Sequence, residues 1–208
     1  MIRKALALGT ATVVAATASV LLFGYQANAH DVEFRAKLRD PSGEVVGSVK
    51  FRVTHHAMHV DARLKPNDNV TASQFHGFHI HANNDPANGQ GCVADPEAAT
   101  STWFVSADGH LSEGQSHGAH NGDMPSPLVM ADGTARLTFT TDRIDPGDLR
   151  GRAVILHDKA DNFGNVPTGT AANQYTANDP VVAPDLTART GNAGDRMACG
   201  LVKRSWWS

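Results

Sequence analysis

The segment Gly77-Phe78-His79-Ile80-His81 decides the fold, because it places two histidines one residue apart between apolar neighbours. Successive side chains of a β-strand point to opposite faces, so the imidazoles of His79 and His81 would lie on the same face. Neutral imidazole is the commonest metal-binding side chain, and it suits copper and zinc better than calcium or magnesium. The segment therefore predicts a strand that carries a pair of metal ligands. Two strand histidines that simply face solvent would give the same local pattern.

Alternating apolar residues elsewhere predict more strands, separated by turn residues such as Pro41 and Gly43. The predicted strands are residues 32–38, 49–53, 60–64, 77–81, 128–130, 135–140, 153–157 and 198–203. No long amphipathic helix, internal repeat or composition break accompanies these runs. We therefore expect one all-β domain, an antiparallel barrel or sandwich of about eight strands.

Two long segments, residues 83–123 and 158–195, do not alternate in this way and are rich in Gly, Pro, Asn and Asp. Loops of that length in a compact domain are usually functional, and something must hold them in place. We expect two long functional loops, held by a metal and by a disulfide.

The N-terminus has the features of a secretory signal peptide. A basic start precedes a mostly apolar stretch, residues 5–23, and the small-residue motif Ala27-Asn28-Ala29 follows it. Cleavage after Ala29 would remove residues 1–29 and leave 30–208 as the mature domain, secreted to the cell envelope or beyond, with no membrane span. An uncleaved membrane anchor is the alternative interpretation of the apolar stretch.

The charge balance argues against some partners. The chain holds 18 basic and 21 acidic residues, and cleavage would remove two of the basic ones, Arg3 and Lys4. The mature domain would therefore be acidic, and nothing in its composition indicates nucleic acid or an anionic membrane surface as a partner.

Cys92 and Cys199 are the two cysteines of the chain. An exported protein meets an oxidising compartment in which thiols pair, so a disulfide between them is expected. Two free thiols that bind metal are the weaker alternative, because neither cysteine belongs to a Cys-x-x-Cys motif.

The first long loop concentrates further metal ligands, namely His110, His117, His120 and Asp123. Three imidazoles and one carboxylate match the four nitrogen and oxygen ligands of a closed tetrahedral zinc site. A flexible polar loop that binds metal loosely is the alternative. His157 ends a predicted apolar strand, and by itself it indicates no more than a residue at the rim of the sheet.

Together these features resemble the Cu,Zn superoxide dismutases of the secreted bacterial type, across essentially the whole mature chain. The stretches that carry the resemblance are 77–81, Gly91-Cys92, the loop with His110, His117, His120 and Asp123, residues 151–158 and residues 191–200. The resemblance implies a Greek-key antiparallel β-barrel or sandwich with two long functional loops.

The resemblance also implies roles for individual residues. Copper would be bound by His79, His81, His110 and His157. Zinc would be bound by His110, His117, His120 and Asp123. His110 would bridge the two metals, Asp161 would link His79 to His117 from behind, and His76 would brace the backbone. Arg196 would attract the anionic substrate, because its guanidinium is permanently charged and offers a fork of donors.

The implied activity is the conversion of superoxide to dioxygen and hydrogen peroxide, with copper alternately reduced and oxidised and zinc supporting the bridging histidine. A non-catalytic copper/zinc-binding or metal-delivery protein on the same fold is the alternative. Loss of a copper ligand or of Arg196 would favour it, and neither is lost. Whether the protein is a monomer or a homodimer stays open.

Some features lie outside the family pattern. Residues 55–59 hold three histidines and Met58, which suggests a peripheral copper-loading patch, although solvated strand residues are the simpler interpretation. Cleavage after Ala29 would leave His30 as a terminal copper chelator. Glu113 brings a negative charge into the metal loop. The insertion between Cys92 and His110 is expected to be packed, and the role of the tryptophans at 206–207 is open.

Overall fold

Strands dominate the computed structural model, which describes residues 32–54, 57–112, 114, 116–163 and 183–205. In chain order they are β1 (Glu33–Arg39), β2 (Val45–Val53), β3 (Met58–Leu64), β4 (Gln74–Phe75), β5 (Phe78–His81), β6 (Asp123–Met124), β7 (Leu128–Val129), β8 (Ala135–Thr141), β9 (Ala153–His157), β10 (Arg196–Leu201) and β11 (Lys203–Arg204). The α-helices of this part of the chain are α1 (Pro146–Leu149) and α2 (Ala183–Thr190). Short 3₁₀ turns cover Pro86–Asn88, Thr100–Thr102 and Val105–Ala107.

The strands form one curled antiparallel sheet in the order β6-β5-β9-β10-β1-β2-β3-β8, with β11 paired to β1, and a small sheet of β4 and β7. Consecutive strands β1, β2 and β3 are direct neighbours, whereas β10 returns from far along the chain to lie beside β1. That arrangement is a Greek key. The prediction of an all-β Greek-key fold is confirmed. The sequence pattern did not predict α2, which lies inside the second expected loop.

The alternation of apolar residues explains which face of the sheet is buried. On β1, Phe34, Ala36 and Leu38 enter the main core, while Arg35 and Lys37 point outward. The strands β5 and β9 are buried on both faces, so their second face needs a separate cover. Across the described residues, no helix is long and apolar enough to cross a membrane.

The insertion after Cys92 provides part of that cover. Trp103 and Phe104 are buried and pack against Ile155 of β9 and Met197 of β10, forming a second apolar cluster. Burying an aromatic side chain of this size contributes about 1.5 to 3 kcal/mol. The insertion is therefore packed, as expected, and it forms a wall above the outer face of β9 and β10.

The expected disulfide between Cys92 and Cys199 is present, with the two Cα atoms 5.5 Å apart. It joins the insertion to β10 across a sequence separation of 107 residues. The prediction from the cysteine count is confirmed.

Several predictions fall outside the described residues. These are the signal peptide with His30, the two histidines at 55–56, Glu113 and the tryptophans at 206–207. Of the suggested copper-loading patch, His59 and Met58 are described. Met58 is 1% exposed and packs in the main core, on the same face of β3 as Val60. Its sulfur is therefore not part of a surface patch.

Replacing both cysteines, Cys92→Ser with Cys199→Ser, should lower the free energy of unfolding by about 2 to 4 kcal/mol, because the unfolded chain regains a long closed loop. Urea unfolding of the two proteins, both without metal, measures the difference. An unchanged midpoint would show that the bond does not constrain the unfolded chain.

Candidate metal centre

Three predicted metal ligands lie on neighbouring strands of the sheet. His79 and His81 share the face of β5 that is opposite to the main core, and β9 runs beside β5 with His79 opposite Ile155 and His81 opposite Ala153. His157 ends β9 on the same face. Strand alternation and register thus bring three imidazoles together, and all three are buried.

The fourth imidazole comes from the first long loop. The backbone of Leu111 donates to the carbonyl of Ile80 at 2.8 Å, which pairs this loop with the edge of β5. The pairing places the ring of His110 with its centroid 4.2 Å from that of His79 and 4.9 Å from that of His81. His110 therefore lies over the two strand histidines.

Each of these four imidazoles has one buried nitrogen without a hydrogen-bond partner in the described part of the protein. These atoms are His79 Nδ1, His81 Nε2, His110 Nε2 and His157 Nε2. The four side chains offer ligand atoms that all lie within 4.8 Å of one another. A buried polar atom without a partner is costly, and a bound cation is one way to satisfy several at once. The four nitrogens fit a single metal ion.

The opposite nitrogens of the same rings are held from behind. His81 Nδ1 donates to the carbonyl of Asp108 at 2.8 Å, and His157 Nδ1 donates to the carbonyl of Gly194 at 3.1 Å. A carbonyl can only accept, so both rings carry their hydrogen on Nδ1 and direct the Nε2 lone pair toward the cluster. The tautomers are therefore those that a metal ligand at Nε2 requires.

A second set of ligand atoms surrounds Asp123. Its Oδ1 atom lies 3.0 Å from His110 Nδ1 and 3.3 Å from both His117 Nδ1 and His120 Nδ1. His110 Nδ1 and His120 Nδ1 are also 3.3 Å apart. A tetrahedral zinc site with bonds of about 2.0 to 2.1 Å has edges of about 3.3 Å. Four of the six distances among these three nitrogens and one oxygen therefore match the edges of a tetrahedral zinc site.

A different combination also brings ligand atoms within 4.8 Å of one another, with His79 in place of His120. His79 Nε2 is hydrogen-bonded to Asp161, and its Nδ1 faces the four-imidazole set. His120 Nδ1 instead lies at tetrahedral edge distance from two members of the second set. His120 is therefore the better fourth ligand.

The carboxylate of Asp161 connects the two sets. One of its oxygens accepts a hydrogen bond from His79 Nε2, and the other accepts from His117 Nε2 at 2.7 Å. Gly191 makes this contact possible, because a Cβ atom there would come within 2.1 Å of Asp161 Oδ1 and 2.5 Å of His117 Nε2. The position of Gly191 follows from α2, because the backbone N–H of Gly191 donates a hydrogen bond to the carbonyl of Thr187 at 3.2 Å. The helix missed by the sequence pattern thus helps to place Asp161.

The two remaining predicted residues lie at the margin of the four-imidazole set. Both ring nitrogens of His76 lie 2.7 Å from backbone carbonyl oxygens, those of His157 and Thr71, so His76 braces the strand end that carries His157. Arg196 lies opposite His157 in the register of β10 and β9. Its guanidinium donates to the carbonyls of Phe104 at 2.6 Å and Asp108 at 2.7 Å.

Burial keeps most of the four-imidazole set neutral. Burial is the main cause that lowers the pKa of His81 and His157 well below the usual value, and the positive charge of Arg196 lowers both further. Burial also lowers the pKa of His110 to about 4, although the nearby carboxylate of Asp123 acts in the other direction. These three imidazoles are therefore in the neutral form that binds metal at neutral pH.

His117 behaves differently because it lies between two carboxylates. Burial lowers its pKa, but Asp123 and Asp161 outweigh that effect and raise the pKa to about 9. Burial raises the pKa of each carboxyl in turn, and the hydrogen bonds from the histidines lower both below their usual values. A metal that binds His117 Nδ1 must therefore displace a proton.

The structure thus brings together every residue predicted as a metal ligand, with Asp161, His76 and Arg196 beside them. The site also contains backbone carbonyl groups that could not be identified from the sequence. Those of Phe104, Asp108 and Gly194 orient Arg196, His81 and His157. Every residue carries a backbone carbonyl, so residue type gave no signal for them.

The fold and the two ligand sets define a β-barrel metalloprotein with adjacent sites that share His110. Comparison with known proteins agrees. The family described as copper/zinc superoxide dismutase (SODC) matches residues 45–202. This chain belongs to the copper/zinc superoxide dismutase family.

The relatives span most of the chain. A superoxide dismutase [Cu-Zn] of Mycolicibacterium paratuberculosis is 35% identical over 172 residues, which cover 79% of this chain and 71% of the relative. A superoxide dismutase [Cu-Zn] of Deinococcus radiodurans is 30% identical over 179 residues, covering 79% of this chain and 93% of the relative. The crystal structure of the clock protein EA4 matches with a TM-score of 0.56 at 24% identity, over 83% of this chain and 94% of that one, which supports the fold.

The zinc affinity of the set around Asp123 should rise about tenfold per pH unit between about pH 7 and pH 8.5, because one proton leaves His117 for each metal bound. Competition against a chelator of known affinity at several pH values measures the slope. In Asp161→Asn, which removes one of the carboxylates that raise the pKa of His117, the slope should be shallower. If the zinc affinity of the unchanged protein does not depend on pH, His117 does not carry the proton assigned to it.

Proposed function

We propose that this protein is an exported superoxide dismutase that binds one copper and one zinc ion in the two sets that share His110. The observation that carries the proposal is the convergence of four buried imidazole nitrogens without partners, beside a second set in which three imidazole nitrogens lie 3.0 to 3.3 Å from one carboxylate oxygen. Membership of the copper/zinc superoxide dismutase family supports the same activity.

The ligand chemistry supports one assignment of the two metals. Copper belongs in the set made only of imidazoles, which consists of His79, His81, His110 and His157. Zinc belongs in the tetrahedral set, which consists of His110, His117, His120 and Asp123. Imidazole nitrogen suits copper, and mixed histidine and carboxylate ligands at tetrahedral spacing suit zinc. When bound, copper supplies one-electron redox chemistry, by which one superoxide is oxidised to dioxygen and a second is reduced to hydrogen peroxide.

His110 is the residue through which a proton can reach the product. Reduction of superoxide to hydrogen peroxide consumes two protons, and oxidation of superoxide to dioxygen consumes none. The Nε2 atom of His110 faces the all-imidazole set, while its Nδ1 atom lies in the set around Asp123. With Nδ1 held there, the ring keeps its orientation and would carry one of the two protons at Nε2 when that atom is not bound to copper; the second proton would come from solvent water.

Arg196 provides the positive charge that the anionic substrate needs. The chain as a whole is negative, so attraction of superoxide depends on a local positive charge. Two carbonyls, those of Phe104 and Asp108, accept from the Arg196 guanidinium and fix its plane next to the all-imidazole set. A guanidinium that is already fixed loses little conformational freedom when a small anion binds. It therefore binds the anion more favourably than a mobile side chain would.

Export completes the proposal. The N-terminal segment would be cleaved after Ala29, and residues 30–208 would form the mature domain, in the cell envelope or outside the cell. The disulfide between Cys92 and Cys199 supports this location, because disulfides persist in oxidising compartments and are rare in the cytosol.

Replacing His157 with alanine should abolish copper binding and dismutation while zinc binding is retained, because His157 belongs to the all-imidazole set alone. Metal analysis of the purified variant, combined with a superoxide dismutation assay, tests both parts. His59→Ala is the matched control, since it removes a histidine of β3 that belongs to neither set, and it should keep both metals. Full activity in His157→Ala would contradict the assignment.

Replacing Arg196 with alanine should leave both metals bound but lower kcat/KM by about tenfold or more, because electrostatic attraction raises association rates by factors of this order. The rate should also depend less on ionic strength. Arg52→Ala removes the same charge from an exposed position on β2 and should have little effect. Equal rates in the two variants would show that Arg196 has no special place in substrate attraction.

A further inference from the structure

Asp108 has a backbone conformation that residues other than glycine rarely adopt. Its φ is 63° and its ψ is −161°, a region that is essentially restricted to glycine. A residue with a Cβ atom persists there only when its surroundings hold it. The contacts of Asp108 show what holds it and what the conformation achieves.

The carboxylate of Asp108 is anchored to the turn at Pro86–Asn88. One oxygen accepts from the backbone N–H groups of Asn84 at 2.6 Å and Asp85 at 2.8 Å. The other accepts from the side-chain amide of Asn88 at 2.8 Å. Three hydrogen bonds from a single turn can hold the strained backbone in place.

The carbonyl of Asp108 faces the opposite way, into the metal centre. It accepts from His81 Nδ1 at 2.8 Å and from Arg196 Nη2 at 2.7 Å. The direction of this carbonyl depends on the ψ angle of Asp108. If residue 108 relaxed to a common conformation, the carbonyl would turn, and both side chains would lose the same acceptor.

We propose that Asp108 is a positioning residue for the metal centre. Its carboxylate, tied to the turn, holds a backbone conformation whose carbonyl sets both the tautomer of His81 and the orientation of Arg196. The inference rests on the proposed function for the roles of His81 and Arg196. It adds that the turn after β5, which supplies no ligand to either set, is coupled to the site through the Asp108 side chain.

Three substitutions at this position separate the backbone conformation from the side-chain anchor. Glycine adopts the conformation without strain and has no carboxylate. Asparagine keeps the shape and an oxygen for the two N–H groups, and the amide of Asn88 can turn to offer its own oxygen. Alanine has neither the backbone freedom of glycine nor a side chain that can accept the hydrogen bonds from the turn. If the carbonyl direction is what matters, Asp108→Asn and Asp108→Gly should resemble the unchanged protein, and Asp108→Ala should not.

The experiment measures the copper centre directly. Each variant is loaded with Cu(II), its electron paramagnetic resonance spectrum is recorded, and azide, a small anion that binds Cu(II), is titrated by absorption. In Asp108→Ala the spectrum should change and azide should bind about tenfold more weakly, a loss typical of an outer hydrogen-bond partner. In Asp108→Asn and Asp108→Gly the spectrum should be unchanged. The azide affinity should stay within about twofold of that of the original protein, well below that typical loss.

Asp85→Ala is the matched control in the same turn. It removes a carboxylate that accepts from the backbone of Ala87 and keeps the backbone N–H that bonds to Asp108. Its spectrum and azide affinity should be unchanged.

Two results would overturn the inference. One is an unchanged centre in Asp108→Ala. The other is a centre in Asp108→Gly that is as disturbed as in Asp108→Ala, because the anchor itself, and not the carbonyl direction, would then be responsible. If Asp108→Ala does not fold, Asn88→Ala, which removes one of the three hydrogen bonds to the carboxylate, takes its place; a smaller change in the same direction is expected, and an unchanged centre would overturn the inference. Neither readout requires turnover, so a protein that binds copper and azide without dismutating superoxide would contradict the proposed function and leave this inference standing.

Discussion

The metal centre depends on burying imidazole nitrogens that no group of the described protein satisfies. His79, His81, His110 and His157 each direct one such atom into a common space, and their other nitrogens are held from outside. An unsatisfied buried polar group costs about 1 to 3 kcal/mol, so several together are tolerable only if binding compensates them. Metal binding and folding stability are therefore coupled in this protein.

The parts of the fold that hold these rings are linked to one another. Asp161 is hydrogen-bonded to one histidine from each set, so it links the positions of the two sets. The disulfide fastens the insertion to β10, and the insertion supplies the Phe104 carbonyl that orients Arg196. The strands supply four ligands, namely His79 and His81 on β5, His157 on β9 and Asp123 at the start of β6. The remaining ligands, and the hydrogen bonds that orient the rings, come from loops that the disulfide, α2 and the two carboxylates hold.

Much of this could be predicted from residue type and spacing. Strand alternation predicted the sheet and placed His79 and His81 together, and the ligands of the first long loop were recognisable from their chemistry. The role of His157 followed only from the family resemblance. The alternation along β3 also accounts for the burial of Met58, because Val60, Ala62 and Leu64 share its face. The carbonyls of Asp108 and Gly194 could not be predicted, because their role depends on backbone direction. The helix α2 was hidden in a polar segment. Its placement is explained by tertiary contacts, because the Ala188 carbonyl accepts from the backbone of His117 at 2.9 Å and Gly191 leaves room for Asp161 and His117.

The most direct test of the account is a metal analysis of the purified mature chain combined with a superoxide dismutation assay on the same sample. The account predicts one copper and one zinc ion per chain, and turnover that disappears when copper is removed and returns when it is restored. A sample fully loaded with both metals that shows no copper-dependent turnover would contradict it.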